Sequence, residues 1–338
     1  MKIKLLAALA ALAALGISGN ALAGKCTPTK PPNYQAERLD TPNTLIELRA
    51  DAPVSADTPI AQINSESLSQ VIEYSCDSTI LYGNRPIVGL TPYPGYPNMY
   101  KTKIDGIGVK FTTSAPEGGP QGALPRYNIP YQADETPEGG SSFEAPRGRF
   151  IASFYKLSAN VNLNTSYPLQ ALLFDAGKVG HQTIEDAMVS IYYMNQVHIT
   201  STPICTVDKP LPVDFGTVNA DNVRSGVAKP FQFGIVCKTD YNSYNVTASI
   251  KGNKITADGK YIKVSDIKNN DDSLIIEITD DQKKPVMVDN STRIDITNLK
   301  SGQKANFGWT ANLKKQDGKP YPAQGKFTAS AIITLDIK

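Results

Sequence analysis

The chain has 338 residues, 41% of them hydrophobic and 20% charged, with 34 Lys and Arg against 32 Asp and Glu. That length suits two domains, each with its own core. The near balance of charge argues against nucleic acid or an anionic membrane as partner, since either would call for a basic surface.

The first residues read as an export signal: Lys2 and Lys4 precede an apolar run from Leu5 to Ser18, and Ala21-Leu22-Ala23 offers a small-residue cleavage site. Residues 1–23 are therefore expected to be removed, leaving a chain that begins at Gly24. In an oxidising compartment the four cysteines, Cys26, Cys76, Cys205 and Cys237, point to two disulfides. Three connectivities are possible. Pairing Cys26 with Cys76 and Cys205 with Cys237 keeps each bridge on one side of a plausible domain boundary.

Next come short runs rich in β-branched and aromatic residues, separated by turn signals: "TLIELRA", "SQVIEYSC", "IGVKFTT", "RFIASFYKL", "LQALLFDAG" and "AMVSIYYMNQVHIT". Between the third and fourth lies Thr113 to Arg149, where twelve of 37 residues are Gly or Pro. Such a stretch excludes a continuous helix or a central strand and reads as long binding or mobile loops. After a short linker, 199–203, the pattern resumes with "VDFGTV", "FQFGIVCK", "YNVTASIK", "SLIIEIT" and "ANFGWTANL". In the closing strand, Phe327, Ala329, Ala331, Ile333, Leu335 and Ile337 alternate with mostly polar residues, which gives a single buried face. The expected fold class is all-β, two sandwiches in series.

Catalytic and metal-binding signatures are missing. The two histidines, in "GHQT" (read as a turn) and "VHIT" (read as a strand), have no partner at ligand spacing. There is no G-x-S-x-G elbow and no phosphate-binding glycine loop. The carboxylate pairs Asp134-Glu135 and Glu185-Asp186 are adjacent in sequence, so on extended chain they point to opposite sides and cannot flank one bond. We expect no enzyme, no cofactor and no metal.

The segment "PICTVDKPLPVDFGTVNADNVRSGVAKPFQFGIVCK" resembles the start of the pilin domain of chaperone–usher fimbriae. It has Cys205 on the first strand, V-x-F-G-x-V at Val213 to Val218, Gly226, and Cys237 on the next core strand. Gly325 stands fourteenth from the C-terminus, as a glycine does in that family, although the usual aromatic next-to-last residue is here Ile337. The resemblance covers about 135 residues. It implies an immunoglobulin-like domain lacking its last strand, with Phe327, Ile333, Leu335 and Ile337 lining an open groove. A periplasmic chaperone would fill that groove first, and the donor strand of the next pilus subunit would then replace it at the outer-membrane usher.

Residues 24–198 stand where a polymerising subunit would have a short donor extension. Together with "NMYKTKIDGIGVKF" and an early disulfide, they are similar to the receptor-binding half of a two-domain fimbrial tip adhesin. The resemblance thus implies a receptor-binding domain at 24–198, a pilin domain at 204–338, a place at the fimbrial tip on the cell surface, and a host glycan or matrix receptor. The alternative is a structural or capping minor subunit. Twelve of the sixteen tyrosines precede residue 200. Tyrosine on loops suits sugar binding, which marks Tyr93, Tyr96, Tyr127, Asn128, Tyr131 and Asp134 as candidate ligand contacts.

Overall fold

A computed structural model describes residues 26–77, 80–87, 89–114, 122–131, 134–135, 141–145, 147–185, 187–209 and 212–338. The expected export signal and cleavage site lie outside these residues. The chain divides into two units. The first runs from the start of the described residues to Ile46, with Pro53–Ala159 and Leu172–His198; the second comprises Glu47–Ala52, Asn160–Ala171 and Ile199–Lys338.

Strand follows strand from the start: β1 (Cys26–Lys30), β2 (Glu37–Asp40), β3 (Thr44–Arg49), β4 (Ala61–Ser67), β5 (Ile72–Cys76), β6 (Ile80–Pro86), β7 (Met99–Lys101) and β8 (Ile107–Ser114). They continue as β9 (Gly122–Leu124), β10 (Arg126–Tyr131), β11 (Asp134–Glu135), β12 (Ser141–Ala145), β13 (Arg149–Lys156), β14 (Ala171–Phe174), β15 (Gly177–Ile184), β16 (Ala187–Met194) and β17 (Val197–Thr202). In the first unit, two five-stranded sheets run in the orders β10-β6-β15-β16-β2 and β4-β13-β8-β7, the latter with β9 paired to β8, and a four-stranded sheet runs β1-β5-β12-β11. Central β13 is buried on both faces from Phe150 onward, as a strand flanked by β4 and β8 must be. A disulfide joins Cys26 of β1 to Cys76 of β5, directly opposite each other in register.

The Gly/Pro-rich stretch holds more strand than its composition suggests: β9, β10, β11 and β12 all fall within it. Pro130 falls on an edge strand, the place in a sheet where proline is tolerated. β12 contains no proline or glycine and takes an inner position between β5 and β11. "GHQT" is likewise not a turn: His181 lies within β15, opposite Arg85 and Ile191. Residues 199–202 are not a free linker but the last four residues of β17.

The second unit contains β18 (Ile204–Val207), a short helix α1 (Ala220–Ser225), β19 (Val227–Lys238), β20 (Tyr244–Gly252), β21 (Tyr261–Val264), β22 (Leu274–Thr279), β23 (Pro285–Val286), β24 (Ile294–Leu299), β25 (Lys304–Lys315) and β26 (Ala331–Ile337). One sheet runs β18-β19-β25-β22-β21 with β23 paired to β22, and the facing sheet runs β24-β20-β26. A disulfide joins Cys205 to Cys237 across the β18–β19 pair. The segment "VDFGTV" is irregular chain rather than strand, and it leads into α1. The Asn219 side chain caps that helix by accepting from the Asn222 backbone N–H, while the Asn222 side chain accepts from the Asn219 N–H. No helix among the described residues is long and apolar enough to cross a membrane.

Candidate functional sites

Two places in the described structure stand out as candidate sites, one in each unit. In the second unit, β25 alternates cleanly, with Ala305, Phe307, Trp309, Ala311 and Leu313 buried. Across from it on β19, Phe231 pairs with Trp309 and Phe233 with Phe307. The rings pack closely: Phe233 stacks on Phe307 at 5.2 Å between centroids and meets Trp309 edge-on at 4.8 Å. Yet Phe231 and Phe233 are only half-buried, although both face the core. Pairing between β18 and β19 covers only residues 235–238 of β19 and leaves the Phe231 end without a paired strand on that side among the described residues.

On the facing sheet, β26 pairs with β20 along its whole length, from Ala331 opposite Gly252 to Ile337 opposite Val246. It is the last strand of its sheet. Its inward residues Ile333, Leu335 and Ile337, together with Phe327, pack against the same core but stay half-exposed. Two strands thus direct apolar side chains into one core, and both remain incompletely covered. At one end of this trough the irregular segment Pro212–Asp214 and Lys229–Gln232 of β19 enclose a recess of about 380 Å³. Each apolar side chain left half in water forgoes part of the roughly 1.5–3 kcal/mol that full burial would contribute.

In the first unit a cavity of about 200 Å³ opens among Leu39, Leu68, Tyr82, Thr113, Ser114, Arg126, Gly148, Arg149, Gln182 and Tyr192. Its polar wall is a hydrogen-bonded chain: the Tyr192 hydroxyl donates to Asn84 Oδ1 at 2.8 Å, and Asn84 Nδ2 donates to Thr113 Oγ1 at 3.1 Å. Tyr192 also stacks on Phe150 at 5.1 Å, and burial pushes its phenol pKa far above the ordinary value. Gln182 accepts from Ser190 Oγ at 3.3 Å. These bonds fix the wall before anything enters it.

Two glycines make room for the cation on this wall. A Cβ on Gly83 of β6 would stand 2.6 Å from the carbonyl oxygen of Arg126, so only glycine lets β10 approach there. A Cβ on Gly122 would meet Thr113 Oγ1 at 2.8 Å and would sit 3.6 Å from Arg126 Nη1, which places that guanidinium beside the hydrogen-bonded chain. The second cation comes from the other sheet: Arg149 opens β13 and pairs with Ser67 and Ser114. Among the described residues neither arginine has an ion-pair partner and no carboxylate lines the cavity.

The residues expected from sequence to bind ligand are placed elsewhere or fall outside the description. Tyr93 and Tyr96 meet edge-on at 5.5 Å and pack, half-buried, against Met99, Tyr155 and Leu157. Tyr127 follows Arg126 on β10 and is 56% exposed. Asn128, Tyr131 and Asp134 lie on β10 and β11, and their side chains are outside the described residues. Sequence reasoning did not single out Arg126 and Arg149, which line the cavity. The available signal was that both are cations in a Gly/Pro-rich run, next to strand ends. Among the described residues no group of three or more His, Cys, Asp or Glu side chains is placed to hold a metal ion.

Comparison with known proteins gives three kinds of result. Residues 192–338 match the family model described as fimbrial protein. No curated protein matches the chain. Among solved structures, the receptor-binding domain of the plasmid-borne adhesin MrkD1P of Klebsiella pneumoniae is 18% identical, covers 53% of this chain and 96% of its own, and gives a TM-score of 0.39. The CupB6 tip adhesin of Pseudomonas aeruginosa is 12% identical over 93% of this chain and 95% of its own, with a TM-score of 0.34. The CsuC–CsuE chaperone and tip-adhesion subunit complex of Acinetobacter baumannii is 11% identical over 92% of this chain and 100% of that chain, with a TM-score of 0.38. The likeness to the fimbrial protein family thus falls on residues 192–338, less than half of the chain.

Proposed function

We propose that the protein is a fimbrial tip adhesin whose C-terminal unit accepts a strand from a partner and whose N-terminal unit binds a host receptor. The observation that carries the reading is the trough between β19 and β26 in the region that matches the fimbrial protein family. A strand laid against the free edge of β26 would gain main-chain hydrogen bonds. Its alternate side chains would cover Phe231, Phe233, Ile333, Leu335 and Ile337. In the periplasm a chaperone would supply that strand. At the outer-membrane usher the extension of the adjacent pilus subunit would replace it, carrying the protein to the cell surface. The first unit, with its own disulfide and a preformed polar cavity, is the part left to meet the receptor, a host glycan or a matrix protein. The protein acts by binding and not as an enzyme.

The test compares residues 24–338 alone with the same chain carrying a donor strand fused after Lys338. The unfused protein should aggregate or unfold readily, because an uncovered apolar edge recruits other chains. The fused protein should be a stable monomer and should then show saturable binding to a panel of glycans and matrix proteins. A well-behaved unfused monomer that gains nothing from the fusion would rule out the strand-acceptor account. A folded, fused protein that binds nothing on the panel would favour a structural or capping subunit.

A further inference from the structure

Resting on the adhesin reading, we infer that the cavity between β8, β10, β13, β15 and β16 is the receptor pocket, and that it takes a carboxylate-bearing sugar unit of an acidic glycan. Arg126 and Arg149 come from different sheets and both line one cavity, whose described lining holds no carboxylate of the protein's own. Two cations that line one cavity and have no ion-pair partner among the described residues repel each other, and an incoming anion relieves that repulsion. A guanidinium presents its donors in a planar fork that matches the two oxygens of a carboxylate, and charge-assisted bonds of this kind are the strong ones. The mature chain is close to electrically neutral, so the positive cavity is a local arrangement rather than a share of a general basic surface.

The remaining lining says what carries the carboxylate. Thr113, Ser114 and Gln182 supply hydroxyl and amide groups, and Tyr82, Leu39 and Leu68 supply apolar surface. A bare acidic side chain of a protein would use the arginines and leave those polar groups idle, whereas a sugar ring presents hydroxyls to them and its C–H surface to the apolar side. At about 200 Å³ the cavity is smaller than the usual small-molecule pocket, so it holds one ring and not an extended chain.

The experiment uses residues 24–338 with the fused donor strand. Four probes are immobilised: sialyllactose, 6-sulfated lactose, plain lactose and polyglutamate. Sialyllactose should bind saturably and lactose should not; sulfated lactose offers an oxyanion that a guanidinium fork also matches, so binding tighter than that of sialyllactose would overturn the choice of a carboxylate. Arg126→Gln and Arg149→Gln should each weaken binding at least about tenfold, the loss expected from removing a hydrogen bond to a charged group. Arg149→Lys should recover only part of it, since a point charge replaces a fork. Arg38→Gln, on an exposed guanidinium already paired with Asp40, should change nothing.

Equal binding of lactose, or polyglutamate binding as tightly as sialyllactose, would overturn the acidic-sugar assignment and leave the adhesin reading standing. So would sialyllactose binding that survives both glutamine variants. The acidic-sugar assignment also falls, alone, if none of the probes binds while the fused protein still attaches to host cells. If it attaches to neither, the adhesin reading itself fails. Each variant is checked for an unchanged unfolding transition, and the lysine variant keeps the outcome readable if a glutamine variant misfolds.

Discussion

At the scale of single residues, the first unit places several polar side chains where only their partners justify them. His181 is the exception: its Nδ1 is buried without a hydrogen-bond partner. Burial lowers its pKa below the ordinary 6.5, and the positive charges of Lys178 and Arg85 push it the same way. The folded protein therefore prefers neutral imidazole, while the unfolded chain takes up a proton first as pH falls. Stability held above the unfolded pKa of about 6.5 is lost as pH drops through the lower folded value. The expected outcome is that denaturant midpoints at pH values of about 7.5 and about 5, chosen to straddle that unfolded pKa, differ more for the native protein than for His181→Gln. An equal pH response in the two proteins would show that His181 takes no part. The same residue shows what sequence could not show: "GHQT" has the composition of a turn, and only the pairing of β15 with both β6 and β16 reveals a strand.

Elements were legible where one face is apolar and the other wet. β25 announces itself by strict alternation, β26 by alternation broken only at exposed Ile332, and β13 by an apolar run that a strand buried on both faces requires. β4, "AQINSES", hides, because Ile63 is its one large buried apolar residue and buried Ser65 accepts from the Phe150 N–H at 2.8 Å instead of packing against oil. The cavity was illegible for a related reason. Arg126 and Arg149 are distant in sequence, and only sheet order brings them together. The unit boundary departs from a single cut near residue 199 as well. Asn160–Ala171 belongs with the second unit: Leu163 N donates to Asp240 O at 2.8 Å, Asn242 N to Thr165 O at 2.9 Å, and Tyr167 meets Tyr241 edge-on at 5.3 Å. Tyr167→Ala should therefore lower the stability of the C-terminal unit by about 1–2 kcal/mol, through the lost ring contact and burial. A loss confined to the N-terminal unit would refute that membership.

At the scale of the whole molecule, the two units can be watched separately. Trp309 is the chain's one tryptophan; it is buried in the second unit against Phe231 and Phe233, the residues a donor strand would cover. Most tyrosines lie in the first part of the chain, so near-ultraviolet tyrosine signals weight the first unit. Each unit has its own disulfide and at least two sheets that lie wholly within it, which favours two unfolding transitions rather than one. Replacing Cys26 and Cys76 together by Ser removes a cross-link spanning 50 residues. By chain entropy that should cost about 2–4 kcal/mol. The tyrosine transition should move to lower denaturant while Trp309 fluorescence stays where it was. Fusing a donor strand after Lys338 should do the reverse, raising the Trp309 transition and leaving the tyrosine one in place. If both probes shift together in both experiments, the units unfold as one cooperative body. In that case a strand added to the C-terminal trough would stabilise the N-terminal unit too, and occupancy of one site would bear on the other.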